Sequence, residues 1–468
     1  MKKLKRMKHL KILGFAIVLI CSSCQTKEDV FNDISITGQI ENHDETVLKI
    51  LDVMGRGPWE DVVPVIENRF SINLTLERPA IKTLKYGDMR KDIFLQPGKS
   101  LEVSFDAIHI ENTFRYGGDL EMENVVFDSI SHLLGKIDYS YIYSQPLDLT
   151  TLYLDSLKDS CKEYLKSLLK KHITSPFFEE YAIASIDYNV AYLKIMLGDG
   201  QDEQYAGYYD FLNELKIEDA DLLDMPNYRM FLYFYLEMET NKRYKDLDSI
   251  QSQAADAKFY ETLKTIENLK NEDVRAYSLY NTMLMQLKEF GAVDFDRHYG
   301  YFNTHNLDEK YAEQMRLAYE EKKRIAPGQP APEFTLEDID GNLVSLSEFK
   351  GKYVYVDFWL TTCPRSAREL PYFLKLYSDY KENNIVFVSI SPDKDKNTWL
   401  DFVKEKRNVG TSLWSDKFLD SEVTEDYQIL GTPTYVLIDK KGNIIDPVAA
   451  KPSSKEIRET FDQLLKSK

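Results

Sequence analysis

Residues 357–371 read DFWLTTCPRSARELP, and this stretch decides the fold of the C-terminal third of the chain. The apolar run YVYVDFWL (353–360) suits a buried strand, and from Pro364 the pattern turns helical. Cys363 stands at the changeover. Pro364 suits a first helical position, because its missing N–H would have had no partner there. Only a thiolate attacks a disulfide, and unsatisfied N–H groups and the helix dipole lower the pKa of a cysteine at a helix start. Arg365 adds a permanent cation two residues from the sulfur, which favours the thiolate further. A thiol so placed is usually half of a redox pair, yet the residue three positions on is Ser366.

Working outward, APGQPAPEF (326–334) carries three prolines and a glycine and cannot continue a helix, so a domain starts there. Beyond it come a hairpin turning at Asp340-Gly341, the strand before Cys363, a helix from Pro364 and the strand IVFVSI. The helix NTWLDFVKEK, the strand TYVLID, a turn at Lys441-Gly442 and a C-terminal helix complete an α/β domain over 327–468. Upstream, residues 118–325 space large apolar residues three and four apart, as an all-α domain does. Its tyrosines, dense in EQYAGYYDFL and YRMFLYFYLEM, read as helix-interface rings with wet hydroxyls rather than as a groove for unfolded chains. Residues 34–112 alternate apolar and polar positions between turns such as Gln96-Pro97-Gly98-Lys99, which implies a small antiparallel β domain of about seven strands.

Several of these pieces carry a family resemblance. PGQPAPEFTL, VDFWLTTC, Glu369, Pro371 and GTPTYVLID, in that order, resemble the thioredoxin fold of the TlpA-like or ResA-like membrane-tethered thiol-disulfide oxidoreductases, a branch related to the AhpC/TSA proteins. The 34–112 region resembles the N-terminal β domain that precedes such modules in lipoproteins of Bacteroides-type bacteria. The resemblance implies that Pro433, in Gly431-Thr432-Pro433-Thr434, is a cis-proline beside the nucleophile, and that Thr432 pairs with a client peptide as an added strand would. It puts Asp357 at the place of a buried acid and Trp359 in the packing beneath the site, with Glu369 as a supporting helix residue. Thr362 and Ser366 depart from the family, which usually has tryptophan and the resolving cysteine at those positions.

The first 24 residues predict an address. A basic stretch, MKKLKRMKHLK, precedes the apolar run ILGFAIVLI and CSSC, the layout of an export signal. At about ten residues that run falls short of the roughly 20 needed to span a bilayer. Ser22 and Ser23 before Cys24 resemble a bacterial lipoprotein box, which makes Cys24 the lipidated residue and places the protein in the cell envelope, lipid-anchored, on the periplasmic side or at the outer membrane. Losing residues 1–23 removes six positive charges and no acid, so a net charge of -18 becomes -24. So acidic a surface repels phosphate backbones, which excludes nucleic acid as a partner.

With Cys24 acylated, Cys161 and Cys363 are the remaining thiols, too few for a disulfide scaffold. Cys161, within LKDSCKEYLK, reads as an inert helix cysteine. The seven histidines show no ligand spacing, so neither a metal nor another cofactor is expected. The expected function is thiol-disulfide exchange by a monothiol CPRS site, of the isomerase or mixed-disulfide kind. A dithiol resolves its mixed disulfide by attack of the second sulfur. Here Cys363 attacks, Ser366 and Arg365 assist, and release requires an external thiol, from a membrane thiol reductase or a small thiol. The partners are exported proteins with disulfides or free thiols. Two alternatives stand beside it: a redox-inactive peptide-binding scaffold, and a thiol peroxidase. Peroxidases of this fold need a hydroxyl three residues before the cysteine and a proline seven before it, where this chain has Leu360 and Val356.

Overall fold

The computed structural model describes residues 33–43, 45–52, 60–87, 89–198, 207–247, 257–290, 295–306, 308–407, 409–416, 421–429 and 431–466. The leader and Cys24 lie outside these residues. The chain divides into two compact units. The first takes in the N-terminal strands, the helices as far as Val190, and Asp224–Tyr228; the second takes in Ala191–Leu223 and everything from Arg229 onward.

In the first unit the strands are β1 (Asp33–Glu41), β2 (Val47–Asp52), β3 (Glu60–Pro64), β4 (Arg69–Thr75), β5 (Ala80–Tyr86), β6 (Met89–Leu95) and β7 (Ser100–Asp106). After α1 (Ile110–Thr113) comes β8 (Arg115–Gly117). They form two four-stranded sheets, ordered β4-β1-β7-β8 and β3-β2-β5-β6. The sequence pointed to an antiparallel domain, and every pair is antiparallel except β1 and β7, which run parallel. Apolar periodicity fixes which side chains face inward but is blind to strand direction. In β7 it turns Leu101, Val103 and Phe105 into the core. Gly38 of β1 is required, since a Cβ there would come within 2.2 Å of the Val103 carbonyl oxygen. The helices that follow are α2 (Glu121–Leu134), α3 (Tyr139–Ser144), α4 (Leu147–Leu169) and α5 (Pro176–Gly198), the last crossing into the second unit. Tyr188 and Tyr228 meet edge to face inside this unit, ring centres 5.0 Å apart.

The second unit contains α6 (Pro226–Lys245, from Arg229), α7 (Ala257–Glu267), α8 (Glu272–Phe290), α9 (Asp296–His305) and α10 (Glu309–Lys323), and then the thioredoxin-fold domain. The domain runs β9 (Thr335–Asp338), β10 (Leu343–Ser345), β11 (Tyr353–Phe358), α11 (Pro364–Tyr380), β12 (Ile385–Ser391), α12 (Lys396–Phe402), β13 (Thr411–Trp414), α13 (Glu422–Asp426), β14 (Thr434–Ile438), β15 (Ile444–Asp446) and α14 (Lys455–Lys466). The seven strands form one sheet, ordered β10-β9-β13-β12-β11-β14-β15. β11 lies at its heart, parallel to β12 and antiparallel to β14. All six of its residues are buried, as a strand covered on both faces requires. Strand alternation sends Val354, Val356 and Phe358 into one core and Tyr353 and Tyr355 into the other, where Phe373 and Leu376 of α11 and Phe461 of α14 pack. Asp357 therefore points to the face that α11 covers. β13 was not anticipated: TSLW is four residues long, too short for alternation to register.

Candidate functional site

The strand-to-helix junction is held from below. Asp393, buried just past β12, accepts hydrogen bonds from the Thr361 N–H (3.1 Å) and hydroxyl (2.8 Å) and from the Ser391 hydroxyl (2.6 Å). Its own carbonyl accepts from the Trp414 indole at 2.8 Å. The chain leaving β11 is thus fixed two residues before Cys363. Cys363 is the N-cap of α11, with Pro364 at the first helical position, and the Ala367 N–H donates to its carbonyl at 3.0 Å. Further along, Pro371 offers no N–H to the carbonyl four residues back.

The sulfur is half-buried and reaches the loop before β14, where the Thr432-Pro433 peptide bond is cis. The thiol donates to the Thr432 carbonyl at 3.3 Å. Burial pushes the Cys363 thiol up, but hydrogen bonds to the thiolate outweigh it and bring the pKa down to about 7. They come from the Thr432 side chain, from the N–H and hydroxyl of Ser366, and from the N–H of Arg365. Arg365 reaches the sulfur through its main chain, whereas the sequence pointed to its guanidinium, which is exposed and screened by solvent. Ser366 is 4% exposed, and its hydroxyl has no hydrogen-bond partner among the described residues; it is one of the groups that hold the Cys363 thiol down.

Beneath this lies a buried ion pair. Asp357 and Arg407, each 2% exposed, are joined by a hydrogen bond, and Arg407 also donates to the Ser389 hydroxyl at 3.3 Å. Arg407 closes a π-helical turn, Val403–Arg407, and its guanidinium lies 4.3 Å from the Trp359 ring centre and 4.2 Å from that of Phe373. Burial pushes the Asp357 carboxyl up to about 6, against the lowering pull of Arg407. Trp359 packs with Trp399 and Val403. Tyr435 stacks on Tyr355 at 5.4 Å; burial, with the charge of Asp357 beside it, raises its phenol well above the usual range.

The structure thus brings Cys363, Ser366 and the Thr432-Pro433 loop together, and joins Asp357 to Trp359 through Arg407. Glu369 is engaged elsewhere: it accepts from the Ser453 N–H (3.0 Å) and hydroxyl (2.8 Å), with Lys451 at 3.8 Å, and so ties α11 to the loop before α14. Cys161, in α4, is a free and fully buried thiol raised by that burial; Cys363 is also free. Sequence reasoning missed Arg407 and Asp393. In VKEKR and SPDKD both sit in charged runs that read as solvated, and no local signal sets them apart.

Residues 327–446 match the AhpC/TSA family. Among the relatives are the thiol-disulfide oxidoreductases ResA of Bacillus cereus and of Halalkalibacterium halodurans. The first is 31% identical over 37% of this chain and 89% of the relative, and the second is 33% identical over 30% and 77%. The crystal structure of the thioredoxin domain of a Bacteroides vulgatus thiol-disulfide oxidoreductase is 32% identical, covering 30% of this chain and 98% of that one with a TM-score of 0.28. Since 31% identity extends over nearly nine-tenths of the Bacillus cereus protein, the chain belongs, through its C-terminal domain, to the ResA-like thiol-disulfide oxidoreductases of thioredoxin fold.

Proposed function

We propose that the protein is a monothiol exchanger of the cell envelope, held by a lipid on Cys24, which forms and releases mixed disulfides with exported proteins. The observation that carries the reading is the half-buried thiol of Cys363 at the N-cap of α11, 3.3 Å from the Thr432 carbonyl of the cis Thr432-Pro433 loop, where its pKa is brought down to about 7. Near neutral pH about half of such a thiol is thiolate, while its nucleophilicity stays close to the optimum for exchange. The Cys363 thiolate attacks one sulfur of a client disulfide and bonds to it. The other sulfur leaves as a thiolate that takes a proton from water. Ser366 supplies no second sulfur, so an external thiolate attacks the mixed disulfide and frees Cys363. When the attacking thiolate is the client's own, the cycle rearranges disulfides with no net transfer of electrons; when Cys363 takes a small-thiol cap, the client leaves as a free thiol and the external thiol supplies the two electrons, ending in a disulfide with the cap.

Two variants test this. Wild-type protein incubated with a disulfide-bonded test protein accumulates adducts on non-reducing gels, and Cys363→Ala accumulates none. Ser366→Cys releases the client from the adduct without an added thiol and ends as its own 363–366 disulfide. If wild type traps nothing beyond Cys363→Ala and Ser366→Cys releases no client, the redox-inactive peptide-binding reading replaces this one.

A further inference from the structure

The charges around Cys363 separate into two classes. The acids near the site are already engaged: Asp357 by Arg407, and Glu369 by Ser453 and Lys451. The cations on the first turns of α11 are not. Arg365 and Arg368 are exposed and make no ion pair among the described residues, and the first helical turn carries no acid. Cations are disfavoured at a helix N-terminus, where the macrodipole is positive, so two arginines without a counter-ion oppose local stability. The thiolate does not explain them, because Arg365 serves it through its main-chain N–H. A second observation at the same place is the Ser366 hydroxyl, 4% exposed and without a hydrogen-bond partner among the described residues.

Arg365 and Arg368 stand three residues apart and share a helix face, which Tyr372 continues with its ring 51% exposed. The chain as a whole is acidic, at -18, and repels anions from a distance. At physiological salt that repulsion fades beyond about 8 Å, whereas a group bonded to Cys363 lies within reach of these arginines. We infer that the Arg365–Arg368 face selects sulfur compounds that carry carboxylates beside the reacting sulfur. The inference rests on the exchange reading and names its substrate class. Such carboxylates occur on an acidic peptide segment around a cysteine or on a low-mass anionic thiol. Exchange balances as above: the Cys363 thiolate bonds to one sulfur, and the departing thiolate leaves with its carboxylate.

The test uses three small disulfides of equal reach: dithiodipropionate (anionic), hydroxyethyl disulfide (neutral) and cystamine (cationic). With each rate divided by that of a small reference thiolate bearing no other charge, to remove differences in leaving-group pKa, the wild-type protein at low ionic strength favours the anionic compound over the cationic one at least about tenfold, and the ratio shrinks with added salt. Arg365→Gln with Arg368→Gln brings this normalised ratio close to one. Mixed disulfides of acidic and of basic peptides then separate the two sources: a preference confined to the small compounds assigns the low-mass thiol, and one shared by acidic peptides assigns the protein segment. Reaction with the neutral disulfide but no charge preference, or a preference the double variant keeps, overturns this inference alone. No reaction with any of the three overturns the exchange reading beneath it.

Discussion

The carbonyl oxygen of Thr432 lies 3.3 Å from the sulfur of Cys363, joining two segments 69 residues apart. The same residue's side chain is among the donors that hold the thiol down. Thr432→Val removes the hydroxyl and keeps both the shape and the carbonyl. It is expected to raise the Cys363 pKa toward the ordinary value of 9.0 and to slow alkylation at pH 7 severalfold, with little change above pH 9. Equal rates at pH 7 would show that the hydroxyl does not solvate the thiolate.

Arg407→Met leaves Asp357 buried without its cation. Removing one partner of a buried pair costs about 3–5 kcal/mol. The pH dependence follows from Asp357. Its folded pKa, about 6, lies above the ordinary 3.8, so its contribution to stability is complete below about pH 4 and is lost as pH rises through 6. Without Arg407 the charged carboxylate is costlier still. The variant is therefore destabilised more at pH 8 than at pH 5, as urea midpoints at the two pH values measure. The same loss at both would mean that Arg407 acts through its packing on Trp359 and Phe373 alone.

Asp393→Ala strips two hydrogen bonds from Thr361, just before the nucleophile, and a third from Ser391 at the end of β12. A buried donor left unpaired costs about 1–3 kcal/mol. Lower stability is expected together with slower alkylation of Cys363, because Thr361 no longer fixes the start of α11. Lower stability with unaltered alkylation, followed by site-resolved mass spectrometry, would limit Asp393 to a structural part.

Much of this was legible in the sequence because the informative features were local. A fully apolar YVYVDF, the Cys-Pro junction and the Gly-Thr-Pro-Thr loop each carry their own signal, and their order marks the thioredoxin fold. What stayed hidden was set by tertiary partners. Arg407 is a charged residue in a lysine-rich run until Trp359 and Phe373 close over it. Asp393 reads as a turn residue until Thr361 meets it. The parallel pairing of β1 with β7 depends on strand direction, which periodicity does not encode. Arg365 lay in plain view, but that its main-chain N–H, at the start of α11, helps hold the thiol down is not written in the sequence.

The central claim is that Cys363 is a working nucleophile at neutral pH, and the rate of its alkylation by iodoacetamide against pH tests it most directly. The measurement is made on the full chain, with the alkylated peptide identified so that the buried Cys161 does not contribute. The rate follows the thiolate fraction and is predicted to rise through a midpoint near pH 7, reaching a plateau by about pH 8.5. A midpoint at 9 or above, or a thiol that resists the reagent in the folded protein, would contradict the account.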